Sequence, residues 1–230
     1  MQRSVAREYL EALIIAAIFL RFTNTWVLQT FFIPSGSMEE TLLIGDHLFV
    51  NRFIYGPAAT PLERKLLPLR EPDRGDIVIF RSPETPTLDL VKRCMARPGD
   101  TIREVDKKIF LNGKAVDDSA YAIHRDPAVY SELSLSEQGR RRDNFGPREI
   151  PAGHYFCMGD NRDFSYDSRY WGTLPAPLLK GRALFIYWSN GGETGDGVWR
   201  GPLDELKQLG KTAAGFFTKT RWSRTFRLIR

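Results

Sequence analysis

The feature that most constrains the fold is a series of short apolar runs, rich in Val, Ile, Phe and Tyr, separated by Gly and Pro. Runs of this kind are typical of β-strands. Asn112-Gly113 lies between two of them and predicts a two-residue hairpin turn. The predicted strands lie in the segments DHLFVNRFIYG, GDIVIFRSP, DLVKRCMARPGD, DTIREV, KIFLNGKAV, GHYFCMGD and RALFIYWS. The sequence therefore predicts a mainly β architecture.

The amino-terminal segment is apolar enough to indicate a membrane anchor. The run LEALIIAAIFL at 10–20 covers only about half of a roughly 30 Å hydrocarbon core. Reading on through Arg21 to Ile33 supplies enough length for a tilted span, with Arg21 reaching the head groups. No small-x-small cleavage pattern follows, which favours an uncleaved anchor. We predict a short cytoplasmic segment at 1–8 and a transmembrane anchor at 9–32; a buried amphipathic helix of a soluble protein is the alternative.

The rest of the chain divides by composition. Arg3 and Arg7 precede the anchor, so the positive-inside bias places the residues after about Ile33 outside the cytoplasm. The segment 101–150 holds a hairpin and a long polar stretch, and it is predicted to be a small insertion between core strands. The remaining predicted units are core strands at 33–100 and 151–189, a Gly-rich surface excursion at 190–218 and a basic strand or tail at 219–230.

Charge and cysteine content narrow the functional classes. The net charge of +5 is mild for 230 residues and does not require nucleic-acid binding. Much of the excess lies in 211–230, where Lys and Arg alternate with apolar residues. A basic face near an anionic membrane and an ordinary surface strand explain that tail equally well. Two cysteines exclude a disulfide framework.

Three polar clusters are candidates for chemistry: PSGSMEETLLIGD around Ser37, LVKRC around Lys92, and GDNRDFSYDSRYWG at 159–172. Each alone is explained by a turn, an exposed strand lysine or a tight loop. The sequence lacks a G-x-S-x-G elbow and an S-x-x-K signature. The three histidines are isolated and show no metal-ligand spacing, so we expect no metal site.

A serine and a lysine together still provide a nucleophile, provided that the lysine is neutral. From an ordinary pKa of about 10.4, a half-neutral lysine near pH 8 requires about 3 kcal/mol of destabilisation of the ammonium group. Lys92 lies between Leu90-Val91 and Cys94-Met95 in a predicted strand. Burial among these apolar neighbours would lower its pKa in this way.

Taken together and in order, five segments resemble the conserved motifs of bacterial type I signal peptidases. The segments are FFIPSGSMEETLLIGDHLFVNRFIYG, GDIVIF, LVKRCMARPGD, GHYFCMGDNRDFSYDSRYWG and GRALFIYWS, roughly half of the chain. The resemblance implies an antiparallel β-sheet catalytic core with a small inserted β domain, after one N-terminal transmembrane helix. It also implies a Ser/Lys endopeptidase that cleaves exported preproteins after Ala-x-Ala-type sites. We expect no cofactor and no metal, preproteins and membrane lipid as partners, no nucleic acid, a monomer, and a single-pass position in the bacterial inner membrane with the catalytic domain on the periplasmic side.

The resemblance also implies roles for individual residues. Ser37 matches the nucleophile, Lys92 the general base, and Ser35 the hydroxyl that forms the oxyanion hole with the Ser37 N–H. Ser165 matches the residue that orients the lysine amine. The supporting residues are Asp167 and Arg169, as an ion pair, and Asp160 and Arg162, which hold the loop. The expected pocket walls, which accept small side chains, are Ile33, Met38, Leu42, Leu90 and Val91.

The chain departs from the family pattern at several points. Glu40 stands where the family commonly has proline, only one anchor is predicted, and the insertion is short. Cys94 and Cys157 are expected to approach each other, as a reduced pair rather than a disulfide. Three other functions stay open: a relative that matures one dedicated substrate, a peptide-binding module without turnover, and DNA binding through the basic tail.

Overall fold

A computed structural model describes residues 5–22, 28–55, 69–131, 137–192, 210 and 215–229. The helices are α1 (Val5–Phe22), α2 (Glu137–Asp143) and α3 (Ser168–Trp171). The strands are β1 (Leu28–Phe32), β2 (Asp46–Asn51), β3 (Ile77–Arg81), β4 (Asp89–Ala96), β5 (Thr101–Val105), β6 (Lys108–Leu111), β7 (Lys114–Ala115), β8 (Phe145–Glu149), β9 (His154–Met158), β10 (Leu174–Pro175), β11 (Leu179–Ser189) and β12 (Arg227–Leu228). The mainly β prediction is confirmed.

The larger sheet is antiparallel, with strand order β1-β2-β11-β3-β4-β9-β10 and β12 paired to β11. Strand β3, at the centre, is buried on both faces: successive side chains point to opposite sides, and the first four are all buried. On β3, Ile77 and Ile79 pack into one apolar cluster. Val78 and Phe80 pack into another on the opposite face. Layers on both faces therefore shield this strand from water.

The smaller sheet has the order β7-β6-β5-β8 and is built within the segment 101–150. Asn112 and Gly113 both have positive φ, 51° and 77°, and join β6 to β7 by the predicted two-residue turn. Strand β8 was not predicted, because Gly146 and Pro147 argue against a strand. It lies at the edge of the sheet, where proline is tolerated.

The amino-terminal prediction needs correction. Helix α1 ends at Phe22, and Leu28–Phe32 forms β1, paired with β2. The predicted anchor at 9–32 therefore includes a sheet strand: Phe31 packs against the main core, so its apolar character belongs to the β fold. No described helix is long and apolar enough to cross a membrane. The alternative of a buried helix also fails for α1, because large side chains such as Leu13 and Phe19 are 68% and 67% exposed.

The basic tail turns part of its charge inward. Arg227–Leu228 pairs with β11 as a short strand. Arg224 is buried and forms an ion pair of 2.6 Å with Asp46. Arg221 lies 3.7 Å from the same carboxylate. Two tail arginines thus stabilise a buried aspartate. The predicted surface excursion at 190–218 falls mostly outside the described residues.

Two cysteines meet across the larger sheet. Cys94 on β4 is in register with Cys157 on β9. Both are buried and carry free thiols, as predicted from the sequence.

Candidate active site

Strand β4 carries Lys92 into the interior of the larger sheet. Its backbone pairs with Val78 on β3, and its side chain is only 3% exposed. The Lys92 amine donates a hydrogen bond of 2.6 Å to Ser37 Oγ. The fold therefore joins the first two polar clusters of the sequence.

The serine lies in a single 3₁₀ turn, Gly36–Met38. The buried side chain of Met38 fixes one end of this turn in the core. From the third polar cluster, the Asn161 N–H donates to the carbonyl of Ser37 at 3.1 Å, and its amide nitrogen donates to the carbonyl of Gly36 at 3.1 Å. All three polar clusters therefore meet at Ser37.

Gly159 allows this close approach. A Cβ atom at this position would lie 2.2 Å from Ser165 Oγ and 2.5 Å from the carbonyl oxygen of Ser37. No side chain fits in that space. A glycine is therefore required where the third cluster passes the nucleophile turn.

The environment of Lys92 disfavours its charge. Burial lowers the pKa of Lys92 from 10.5 to about 8. Among the neighbouring charges, Asp167 and Asp160 oppose this effect and Arg169 adds to it. A substantial fraction of the amine is thus neutral at mildly alkaline pH.

Behind the lysine, Asp167 and Arg169 form a buried ion pair. Arg169 Nε and Nη2 each donate to the carboxylate at 3.0 Å, and both side chains are 0% exposed. Asp167 also caps α3 and accepts a bond of 3.0 Å from the Gly159 N–H. Although burial opposes the charged form, Arg169 holds the pKa of Asp167 below its ordinary value.

The partners of Asp160 and Arg162 were not predicted from the sequence. Asp160 accepts two hydrogen bonds from Arg93, at 2.8 and 2.7 Å, and one from Thr41, at 2.6 Å. Arg162 pairs with Asp118 at 2.5 Å. Neither Arg93 nor Asp118 was selected, because nothing in the sequence spacing connects them to the third cluster.

The two other predicted serines, Ser35 and Ser165, lie in different environments. Ser35 is exposed and precedes the 3₁₀ turn, and its hydroxyl does not cap that turn. It lines the same cavities as Ser37. Ser165 is buried against Gly159, but its Oγ has no hydrogen-bond partner among the described residues. The expected contact between Ser165 and Lys92 is therefore not seen.

Two cavities open on the serine and the lysine. The smaller, of about 160 Å³, is lined by Ile33, Met38, Leu90 and Val91 from the predicted set, and also by Phe31, Pro34, Ser35, Ser37, Leu88, Asp89 and Lys92. The larger, of about 600 Å³, extends past Arg125 and Tyr166.

The prediction for Leu42 is wrong. It lines neither cavity and is fully buried in the main core cluster. The Leu42 N–H donates to the Met38 carbonyl at 2.8 Å. The backbone turns here, and the Leu42 side chain packs in the core. Within the described residues, no group of His, Cys, Asp and Glu has the arrangement of a metal site.

Comparison with known proteins agrees with these motifs. The family model described as signal peptidase, peptidase S26, matches residues 6–188. Signal peptidase I of Pseudomonas aeruginosa is 35% identical over 191 residues, 72% of this chain and 66% of that protein. Signal peptidase I of Aquifex aeolicus is 30% identical over 234 residues, 82% of this chain and 85% of that protein. A crystal structure of a signal peptidase I from Enterococcus faecalis aligns with 27% identity and a TM-score of 0.37, covering 49% of this chain and 97% of that one.

The chain therefore belongs to the signal peptidase family, peptidase S26. It spans 66% of the length of the Pseudomonas aeruginosa relative.

Proposed function

We propose that the protein is a serine endopeptidase that removes signal peptides from exported preproteins, with Ser37 as nucleophile and Lys92 as general base. The observation that carries this proposal is the hydrogen bond of 2.6 Å between Lys92 Nζ and Ser37 Oγ. A buried lysine with a pKa of about 8 supports it, because the neutral amine accepts a proton. Family membership supports the choice of substrate.

In the first half of the reaction, neutral Lys92 takes the Ser37 proton while Oγ attacks the scissile carbonyl carbon. The resulting oxyanion accepts hydrogen bonds from the Ser37 N–H and the Ser35 hydroxyl. The lysine ammonium then gives its proton to the leaving amine as the C–N bond breaks. The signal peptide remains on Ser37 as an ester, and the mature protein leaves with a free amino terminus.

In the second half, Lys92 is neutral again and takes a proton from a water molecule that attacks the ester carbonyl. The tetrahedral intermediate then loses the serine oxygen, which regains its proton from Lys92. The products are the free carboxylic acid of the signal peptide and the starting enzyme. Every proton is thus passed through one amine, and no cofactor is required.

The pocket that selects the substrate is assigned to the smaller cavity. Its volume of about 160 Å³ and its apolar lining support the acceptance of small side chains, as in an Ala-x-Ala sequence. We assign Ile33, Met38, Leu90 and Val91 to this specificity, because all four line the cavity. A pocket of this type rejects larger side chains by size, at about 1–3 kcal/mol per methylene.

The remaining predicted residues support the dyad. We assign the Asp160–Arg93 and Asp167–Arg169 ion pairs to holding the third cluster against Ser37. Ser165, buried beside Gly159, is assigned to contact with the lysine amine during turnover. The smaller sheet, within 101–150, is proposed to be an inserted domain.

We further propose that the amino-terminal segment that contains α1 attaches the protein to the bacterial inner membrane, with the catalytic part on the periplasmic side. Its large exposed apolar side chains, such as Leu13, Ile15 and Phe19, support burial in lipid. Arg3 and Arg7 support a cytoplasmic amino terminus. One chain supplies both Ser37 and Lys92, which is sufficient for a monomeric enzyme.

The test is to incubate the detergent-solubilised protein with a preprotein that carries an Ala-x-Ala site and to map the products by mass spectrometry. The wild type is expected to cut after the final alanine. Ser37→Ala is expected to lose at least about 10³-fold in rate. Ser119→Ala, which alters an exposed serine, is the matched control and is expected to cut normally.

Two results would contradict the proposal. Cleavage that persists in Ser37→Ala would exclude this serine as the nucleophile. Failure of a folded wild type to cut such a preprotein between pH 7 and 10 would exclude the proposed activity.

A further inference from the structure

A buried carboxylate without a hydrogen bond lies behind the active site. Glu104, on β5 of the smaller sheet, is 1% exposed. Neither of its carboxylate oxygens has a hydrogen-bond partner among the described residues. Leaving such a group unpaired in the interior costs stability, and an apolar side chain of similar size would avoid this cost. A group that is retained at this cost is a candidate for a functional role.

Among the described residues, the cation that lies within ion-pairing distance of Glu104 is Arg169, which leads toward the dyad. Glu104 Oε2 lies 3.7 Å from Arg169 Nη1, and both side chains are 0% exposed in this pair. The same arginine donates two hydrogen bonds to Asp167. Asp167 is in turn the neighbouring charge with the largest effect on Lys92. A row of charges therefore runs from the smaller sheet to the general base.

Other bonds of Arg169 show that it is fixed in place. Its Nη1 donates to the carbonyl of Arg142 at 2.7 Å, and its Nη2 donates to that of Arg162 at 2.6 Å. The guanidinium therefore has little freedom to turn toward Glu104 and form a hydrogen bond. Glu104 acts on it by charge alone, over a distance at which the low dielectric of the interior preserves the interaction.

We propose that Glu104 is a positioning residue for the proposed Ser/Lys reaction: it balances the charge of Arg169 and so determines how strongly the Asp167–Arg169 pair stabilises the Lys92 ammonium. With Glu104 ionised, the row Asp167–Arg169–Glu104 carries one net negative charge. Without that charge, the row is neutral and Arg169 is compensated only by Asp167. Lys92 then becomes easier to deprotonate.

Several charged and titratable groups face Glu104 and belong to the same balance. They are Asp167, Arg169 and Tyr170 around α3, Arg162 in the 3₁₀ turn Arg162–Phe164, and Asp143 at the end of α2. Burial raises the pKa of Glu104 to about 7, against the effect of Arg169. The carboxylate is therefore mostly ionised at the pH where Lys92 titrates. Its negative charge then stabilises the Lys92 ammonium.

The experiment compares the pH dependence of kcat/KM for the wild type, Glu104→Gln and Glu149→Gln. In Glu104→Gln, the midpoint of the rise of kcat/KM with pH is expected to move toward lower pH by about half a pH unit. This is the order of magnitude expected for the loss of one buried charge that does not contact Lys92 directly. Glu149→Gln removes the same charge from an exposed position of the same sheet and is expected to leave the midpoint unchanged. A residue that only stabilises the fold would change the free energy of unfolding but not this midpoint.

A second measurement does not depend on the proposed activity. In the inactive Ser37→Ala background, the Lys92 amine is titrated by NMR of labelled lysine, with and without Glu104→Gln. A midpoint shifted to lower pH supports the inference even if no peptide is cut, which would be a failure of the proposed function alone. An unchanged or raised midpoint overturns the inference, whatever the activity. Glu104→Met replaces Glu104→Gln if the latter does not fold.

Discussion

The two faces of β4 bury two cations in opposite ways. Lys92 reaches Ser37 and has no carboxylate at ion-pairing distance within the part of the chain that the structure describes. Arg93, the next residue, meets Asp160 in two hydrogen bonds of 2.8 and 2.7 Å. Both side chains are almost completely buried. The difference shows that a buried guanidinium, which does not release its proton, is compensated by a carboxylate, whereas a buried amine without such a partner is shifted toward its neutral form.

One strand provides both environments because successive side chains point to opposite faces. On one face of β4, Arg93 anchors the loop that carries Asp160 and Asn161. On the other face, Lys92 contacts Ser37, the proposed nucleophile, which this loop holds in place. The residue proposed for catalysis, Lys92, and the residue that anchors the loop, Arg93, are thus neighbours in the sequence.

The largest expected effect comes from replacing the base by a cation that stays charged. Lys92→Arg keeps a positive charge, but a guanidinium does not release its proton in a protein. We expect kcat/KM for preprotein cleavage to fall by at least about 10³-fold. Lys108→Arg, on an exposed position of β6, is the control and is expected to be fully active. If Lys92→Arg kept more than a tenth of the activity, Lys92 would not be the general base.

The next effect is on the other face of the strand. Arg93→Ala leaves Asp160 buried without its ion-pair partner, and we expect a loss of about 3–5 kcal/mol in the free energy of unfolding. The double variant Arg93→Met/Asp160→Leu removes both charges and is expected to recover most of that loss. Urea denaturation measures both. A loss below 1 kcal/mol in Arg93→Ala would show that this face does not depend on charge pairing.

A third effect is the pH dependence of the free energy of unfolding that Lys92 causes. In the unfolded chain Lys92 holds its proton up to about pH 10.5, whereas in the folded protein it releases the proton near pH 8. Unfolding therefore takes up a proton between these values, so the Lys92 contribution lowers stability below pH 8 and disappears as the pH rises to 10.5. This contribution is about 3 kcal/mol at pH 7.

Lys92→Met removes this pH-dependent contribution. Relative to the wild type, the variant is expected to be more stable at pH 7 and to lose this advantage by pH 10.5, as followed by urea denaturation at several pH values. A difference in stability that does not change with pH would contradict a lowered pKa. Lys180→Met is the matched control, because Lys180 is paired with Asp89 at 2.6 Å and half-buried rather than enclosed.

The smallest effect is expected at Ser165. Its Oγ has no hydrogen-bond partner among the described residues, so Ser165→Ala removes no bond that the resting structure contains. We expect kcat to fall by about tenfold at most, since any contact with Lys92 forms only during turnover. A loss as large as that of Lys92→Arg would place Ser165 on a level with the dyad.

Much of the fold could be predicted because its determinants are local. The short apolar runs and the Asn112-Gly113 turn each specify their own structure, and they became strands and a hairpin. Strand β1 was assigned to the membrane because apolar residues suit a sheet core and lipid equally well. Only pairing with β2 distinguishes the two, and pairing is not visible in a local pattern.

The candidate site shows the same limit. Ser37 and Lys92 belong to motifs, so the sequence was sufficient to select both. Arg93 and Glu104 could not be selected, because their importance comes from partners that are distant in sequence. Leu42 was misplaced because proximity to the serine along the chain does not decide which way a side chain points.

The most direct test of the account is the titration of the Lys92 amine itself. Labelled lysine in the Ser37→Ala variant allows its protonation to be followed by NMR from pH 6 to 11, with Lys92→Met used to assign the signal. The account predicts a midpoint near 8, well separated from the exposed lysines. A midpoint near the ordinary value of about 10.4 would contradict it, because the amine would then be mostly charged over the range of pH 7 to 10 in which Ser37 is proposed to react.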